Sequence, residues 1–532
     1  MLSGDDVAWI TSHPYACAEA EPLEFSKATE FADGALLRSK YGQYGRALAE
    51  LMVARRSARG PRPVDSKVSE DVVDEWLVDA ESVQQATALV IAQYRARRLA
   101  LAPSLQTGGL VHDVTCSIGS ELAALAGWGL TAIGSDIDPG RVAMARHNMA
   151  VLEKAVCEKA AREEAGSGID GGTSARFTRP LIVRADALCP VSFPAVVIAD
   201  PARRAQGRRI SQPQDLIPPL PGVIDIWRGL RPGEQELPHA DRSPELVVKC
   251  APGIDYSSWD GEVEIISVAG AVKEACLWTP EIAASTSGIR AAVTGDGNTD
   301  NQNSADHDNV DHDNLVQQRR ITRRATLIHA DGSVDMFTDT DPEALQMADS
   351  SAPSSDIDEA TETRKKKLAD RYIVDPDGAI VRAGLVRQAA YRWEMRQIDP
   401  HIAFLTGDTP PAGVLACEVL DAVPLSKLTS TMTKRAPEQI EILVRGVAAN
   451  PDHVRAKIMS AVRKHSGKKA RKQRNNRNKE TSAHRAHQGE SAADSPSAGL
   501  SGGSYTIVIT QVGDRQGKNS SVAFICGPRQ FH

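Results

Sequence analysis

Four aspartates follow four short apolar runs in this chain, and their spacing sets the first chemical question. Asp113 ends "VHD", Asp136 ends "AIGSD", Asp186 lies in "VRADAL" and Asp200 ends "VVIAD". Between the first two runs stands a small-residue turn, Cys116 to Ser120, followed by an Ala/Leu segment. A dinucleotide fingerprint would put glycines at three places that here hold Ser117, Gly119 and Leu122. With one of those glycines and no Walker lysine, a tight pyrophosphate cradle is disfavoured, and NAD and ATP with it.

A ligand without phosphates, carrying an amino-acid end and an adenosine end, suits the pattern better. S-adenosylmethionine is such a ligand. Its ammonium needs a carboxylate or carbonyls near the first turn, which Asp113 and the backbone of Cys116, Ser117 and Gly119 can supply. Its ribose diol can be accepted by one carboxylate, and Asp136 stands seventeen positions after Gly119. Asp186 is the candidate acceptor for the adenine amino group. Any one of these aspartates could instead cap a helix. Asp138, just before Pro139, fits that reading, with proline at the first position of a helix running to Leu152.

The stretch "VVIADPARR" is the most specific of the four. Asp200 and Pro201 would place a carboxylate and rigid carbonyls beside the donor's methyl group. There they can accept a hydrogen bond from an acceptor's amino group or help remove its proton. Arg203 and Arg204 follow, then Arg208 and Arg209. Guanidinium groups can grip phosphate and stack on bases, or simply tie a loop to surface carboxylates. Cys250, in "KCAP", has the Cys-x-Pro spacing of a nucleophile that attacks a pyrimidine ring. It also reads as a buried, inert cysteine in a valine-rich strand.

These residues need a scaffold that brings strand ends together. The runs "VHDVTC", "TAIGSDI", "PLIVRAD", "AVVIADP", "ELVVKCAPG" and "EIISVAG" are mostly continuous rather than alternating, as strands covered on both faces should be. They alternate with helical segments, which predicts a parallel α/β sheet whose carboxyl edge gathers the four aspartates. "ITRRATLIHADGS" resumes the β pattern and reads as the sheet's last strand. Residues 30–100 read as helical, with Val83, Ala86, Val90 and Tyr94 on one apolar stripe. Arg95, Arg97 and Arg98 crowd the end of that stripe, either as a solvated helix end matched to the dipole or as a phosphate-contacting edge.

The predicted organisation is a helical N-terminal domain (1–100), an α/β domain (101–340) with a disordered acidic insert (287–320), and a disordered linker (341–366). A turn-and-helix connector (367–409) and a smaller α+β domain (410–532) complete it. That last domain carries a basic, low-complexity insert at 464–503, beginning within "RKHSGKKARKQRNNRNK". The run can grip a polyanion such as RNA through counterion release, or form a solvated loop.

At 532 residues the chain exceeds what one core supports. A net charge of −7 does not advertise nucleic-acid binding by the whole molecule, although an acidic insert can hide a basic face. Eight scattered cysteines without a CxxC pair argue against a zinc site and a disulfide framework. No metal is expected. The N-terminus lacks the pattern of a signal peptide, no apolar run would span a bilayer, and the cytoplasm is the expected location.

The ordered set "DVTCSIGSEL", "GSDIDPGRVAMARHN", "RADAL", "ADPARR" and "VVKCAPGID" resembles the class I S-adenosylmethionine-dependent methyltransferases. With "QQATALVIAQYRARRLA", "DGAIVRAGLV" and the late "RGV", it is similar to bacterial methyltransferases that carry a C-terminal THUMP-like domain. The resemblance implies a Rossmann-like fold with Asp113, Cys116, Ser117 and Gly119 at the methionine moiety, Asp136 at the ribose and Asp186 at the adenine. Asp200 and Pro201 would face the acceptor. It implies methyl transfer to a base of tRNA or rRNA, since THUMP domains in related enzymes bind RNA. Two departures stand out. Ser117 replaces a frequent glycine, and "DPAR" lacks the aromatic fourth residue of the amino-methylating "DPPY" pattern. The competing expectations are a same-fold enzyme acting on a small molecule or protein, and a non-catalytic RNA-binding protein with a decayed donor site.

Overall fold

The computed structural model describes residues 1–166, 177–202, 204–205, 208–209, 212–229, 243–286, 321–341, 368–483, 503–513 and 519–532. The expected insert at 287–320 lies outside them, as does the linker at 341–366 apart from Asp341. The chain divides into two units, residues 1–340 with 377–385, and residues 341–376 with 386–532.

The first unit is built on a sheet whose strands begin with β1 (Val111–Asp113), β2 (Ala132–Asp136), β3 (Leu181–Arg184) and β4 (Val196–Ala199). A two-residue hairpin, β5 (Arg204–Ala205) and β6 (Arg208–Arg209), stands apart. Then come β7 (Glu245–Cys250), β8 (Glu262–Val268), β9 (Ala271–Trp278), β10 (Arg323–Ile328) and β11 (Val334–Thr338). The sheet order is β11-β10-β8-β9-β7-β4-β1-β2-β3. β4, β1, β2 and β3 run parallel, and β7 runs parallel to β4. The expectation of a wholly parallel sheet needs correcting at one side. β9 runs antiparallel to both β7 and β8, and β11 antiparallel to β10. β9 was missed because Gly270 turns the chain tightly at positive φ, so "AVKEACLW" follows β8 as a hairpin without a helix between them. The last strand is β11, one beyond "RRATLI".

The N-terminal helices share a core with this sheet. Leu48, Leu51, Trp76 and Leu77 fall in one buried cluster with Val111, Leu122, Val142 and Val196. The stripe from Val83 to Tyr94 is two helices, Ala80–Gln85 and Leu89–Leu99, because Ala86 and Ala88 adopt extended backbone. A capping box at Asp79 and Ser82 starts the first of them.

Arg95 and Arg98 are neither a solvated helix end nor a phosphate-contacting edge. Both are fully buried. Arg95 donates to both Glu121 oxygens at 2.8 Å and also reaches Glu274. Arg98 pairs with Glu262 at 2.7 Å and Glu264 at 2.9 Å, stacked 3.8 Å over the Trp278 ring. Arg324 shares Glu262 from the other side. Buried charges persist only when paired in this way.

The second unit contains β12 (Tyr372–Val374), β13 (Arg396–Asp399), β14 (Ile402–Gly407), β15 (Leu415–Pro424), β16 (Gln439–Arg445), β17 (Ser504–Gly513), β18 (Asn519–Cys526) and β19 (Gln530–Phe531). Its order is β13-β14-β12-β15-β18-β17-β16, with β19 beside β15. The stretch expected as a connector therefore supplies three of these strands, while its helix Gly378–Ala383 packs on β8 and β10 of the first unit. Strict alternation is visible in β17. Ile507 and Ile509 pack with Leu428, Met432 and Ile458, whereas Val508 packs with Phe404 and Phe524. The basic stretch is helical up to Ala483, inside the helix Pro451–Ala483, where a loop had been the alternative reading.

Candidate functional site

Parallel β4, β1, β2 and β3 end side by side, so the four aspartates stand in the order Asp200, Asp113, Asp136, Asp186 along one edge. At this edge a cavity of about 430 Å³ opens, within the roughly 300–1,000 Å³ of small-molecule sites. Asp113, Thr115, Cys116, Ser117, Asp200 and Pro201 line it. Gln84, Thr87 and Ile91 from the broken helical segment complete one wall, and Lys67, Lys249 and Lys273 also face it.

The turn after β1 is held from several sides. Ser117 sits at φ +48° and Gly119 at φ +87°, both in the left-handed region. A glycine would take the first of these more cheaply, since a side chain there costs about 1–2 kcal/mol. Ser117 is held nonetheless: its N–H donates to Asp136 at 3.1 Å, and its Oγ accepts from Arg141 at 3.1 Å. Gly119 backs onto the helix Pro139–Gly166, where a Cβ would come within 3.2 Å of Met149. Buried Asn148 stitches the turn to the segment before the helix Ala80–Gln85, donating to Ile118 and Leu77 carbonyls and accepting from the Leu77 amide.

The carboxylates differ in setting. Asp113 is buried, and burial pushes its carboxyl up to about 7 against the pull of Lys249. Its Oδ1 accepts the Thr115 amide at 3.1 Å. Asp136 is half-buried, which raises its pKa, while amide donors from Asp138 and Ser117 counter the rise. Asp186 is exposed and accepts the Leu188 amide at 2.9 Å. Asp136 and Asp186 are not part of the cavity's lining. Asp138 caps the next helix through the Arg141 amide at 2.8 Å.

Asp200 is engaged by a group the sequence reading passed over. Lys249 Nζ lies 2.9 Å from Asp200 and 3.4 Å from Glu121. Burial would lower this lysine's pKa, but the two carboxylates raise it above its ordinary value. The Asp200 amide donates to Thr115 Oγ1 at 2.7 Å, tying the end of β4 to the loop after β1. The signal was present in "VVKC": a lysine inside a strand covered on both faces must find an acid. Cys250, the next residue, is buried and does not line the cavity. Cys116 does, but burial and then Asp113 hold its thiol well above the usual range. Arg203 lies outside the described residues, as do the side chains of Arg204, Arg208 and Arg209.

The donor set fits a cationic ligand with an amino-acid end. Among the described residues, Ser120 Oγ is buried, partnerless and in the lining, a hydroxyl left for a ligand to satisfy. No described group of His, Cys, Asp or Glu could hold a metal ion, and no described helix is long and apolar enough to cross a membrane.

No family model matches the chain. Among curated proteins, an uncharacterized S-adenosylmethionine-dependent methyltransferase of Mycobacterium tuberculosis H37Rv is 35% identical over 430 residues, covering 79% of this chain and 91% of its own length. The protein of the same description in strain CDC 1551 matches to the same extent. Among solved structures, one from Porphyromonas gingivalis W83, assigned as a methyltransferase, aligns over 91% of both chains with a TM-score of 0.51 at 16% identity, a likeness of fold. At the identity and coverage of the mycobacterial relatives, the chain belongs to the S-adenosylmethionine-dependent methyltransferases, and S-adenosylmethionine is its cofactor.

Proposed function

We propose that the methyl acceptor is a base of RNA, tRNA or rRNA, and that the C-terminal unit is a THUMP-like module that holds it. The observation that carries this reading is the basic half of the helix Pro451–Ala483. From Arg463 to Lys479 it has nine Lys or Arg and no acid, in a chain whose net charge is −7. Such a run on an ordered helix suits a polyanion, with each neutralised phosphate releasing counterions. An acceptor of small-molecule or protein type would leave that charge without a task. A cytoplasmic location accords with an RNA substrate.

In the proposed site Asp113 and the turn from Cys116 to Gly119 hold the methionine end, Asp136 accepts the ribose diol and Asp186 the adenine amino group. S-adenosylmethionine, when bound, supplies a methyl group already activated on a positively charged sulfur. What the chain must add is alignment and exclusion of water. Asp200 and Pro201 sit where the acceptor would approach. A carboxylate paired with Lys249 at 2.9 Å is better suited to orienting an acceptor amino group than to removing its proton.

Mass spectrometry of digested RNA from cells with and without the gene tests the acceptor. One methylated nucleoside should vanish with the gene and return when purified protein and S-adenosylmethionine are added to the unmodified RNA. An unchanged nucleoside profile in tRNA and rRNA would overturn the reading.

A further inference from the structure

Charges along the cavity are unevenly matched. Around Lys249 two cations meet three acids: Arg95 and Lys249 share Glu121, Arg95 also pairs with Glu274, and Lys249 with Asp200. Around Lys273 the balance is reversed. Asp65 alone serves both Arg62, at 2.6 Å, and Lys273, at 3.0 Å. Lys67 lines the same cavity; its amide donates to the Ala58 carbonyl at 2.7 Å, but among the described residues its ammonium has no hydrogen-bonded or ion-paired partner. Burial, and then the neighbouring Lys273, hold its pKa below the ordinary lysine value. Glu274 and Asp65 pull the other way without restoring it, so an added anion beside Lys67 and Lys273 would relieve the remaining repulsion.

Strand order says where this excess lies. From β1 the sheet continues through β4 and β7 to β9, which carries Lys273. At the usual strand spacing these stand about 5, 10 and 14 Å from β1. The acidic strand ends Asp113, Asp136 and Asp186 occupy β1 and the opposite direction. The edge is thus acidic where a cationic donor fits and carries Lys273, beside Glu274, several strands away, with Asp200 and Pro201 between.

We propose that Lys67 and Lys273 form an oxyanion subsite for the methyl acceptor, gripping a phosphate or carboxylate group at the end of the cavity opposite the donor. The proposal rests on the donor lying over β1 to β3, and it does not require the acceptor to be RNA. Anchoring a charged group there would orient the rest of the acceptor past Asp200 toward the methyl group. Ammonium–oxyanion hydrogen bonds in such a partly buried setting are worth more than neutral ones.

Isothermal titration of the full chain with inorganic phosphate and with acetate, each with and without saturating S-adenosylhomocysteine, tests this. Lys67→Gln is the informative variant, because the Lys67 ammonium has no internal partner whose loss would disturb the fold, and its backbone bond to Ala58 is kept. Phosphate or acetate should bind the parent at millimolar concentrations. Lys67→Gln should weaken that binding by about tenfold or more, Lys67→Arg should largely restore it, and affinity for S-adenosylhomocysteine should stay within about twofold. Tighter phosphate identifies a phosphorylated acceptor, and tighter acetate a carboxylated one. Three results would overturn the subsite: no oxyanion binding by the parent, binding unaffected by Lys67→Gln, or a tenfold loss of S-adenosylhomocysteine affinity, which would give the lysine to the donor's own carboxylate. Running each titration also without S-adenosylhomocysteine separates failure of the subsite from failure of the donor placement.

Discussion

Asp113 is a carboxyl group that its surroundings make reluctant to ionise. Burial lifts it from the ordinary aspartate value of 3.8 to about 7, with Lys249 opposing and Glu121 and Asp200 adding to the rise. A ligand ammonium beside it would favour the ionised form, so below pH 7 binding must first remove a proton. S-adenosylmethionine affinity should therefore fall as pH drops below about 7, approaching tenfold per pH unit, and Asp113→Asn should bind weakly with a flatter profile between about pH 6 and 8. The folding linkage has the opposite sense. A raised carboxyl pKa contributes stability that is present below about 3.8 and lost as pH rises through about 7. The melting temperature of Asp113→Asn relative to the parent should accordingly improve between about pH 4 and pH 8. A parallel pH dependence of S-adenosylmethionine binding in both proteins would detach Asp113 from the donor. The aspartates were legible because each closes an apolar run. The ionisation state of Asp113 was not, because it depends on Lys249, 136 positions away in sequence but on a nearby strand.

Between helix and sheet lies a layer of charge that periodicity hides. Arg95 and Arg98 fall in "QYRARRLA", where three arginines near a helix end look solvated. Their acids, Glu121, Glu262, Glu264 and Glu274, are spread over more than 150 residues, so the pairing appears only when the strands assemble. Glu264 also accepts from Tyr94, Trp278 and Thr326. Arg98→Leu leaves Glu264 and part of Glu262 without a cation in a dry interior, and should cost about 3–5 kcal/mol in urea unfolding. A loss under about 1 kcal/mol would mean that the neighbouring hydroxyls and Arg324 satisfy those acids unaided. The break at Ala86 to Ala88 has a related cause. Apolar spacing continues across it, but the chain must open there to present Gln84 and Thr87 to the cavity. A stripe count cannot see that need.

Over the whole molecule, continuous apolar runs correctly foretold the strands that carry the aspartates, since burial on both faces leaves a plain compositional trace. The antiparallel β9 left no such trace as a separate unit, and the second sheet begins at Tyr372, well before the 410 boundary expected from composition. Whereas β13 and β14 form a hairpin, its first strand, β12, is only three residues long and pairs with the distant strands β14 and β15. That information is absent from a local window.

The proposed donor site is a property of the assembled sheet, because its acids come from separate strand ends. Asp136 tests it best: its oxygens accept the Ser117 and Asp138 amides, and each retains a lone pair for a ribose hydroxyl. The decisive measurement is isothermal titration of S-adenosylmethionine into the full chain and into Asp136→Ala, with melting curves to confirm that the variant is folded. The parent should bind, and the variant should bind at least about tenfold more weakly, the loss of one or two charge-assisted hydrogen bonds. Equal affinity in a folded variant, or no binding by the parent, would contradict the assignment of this acidic edge to the methyl donor.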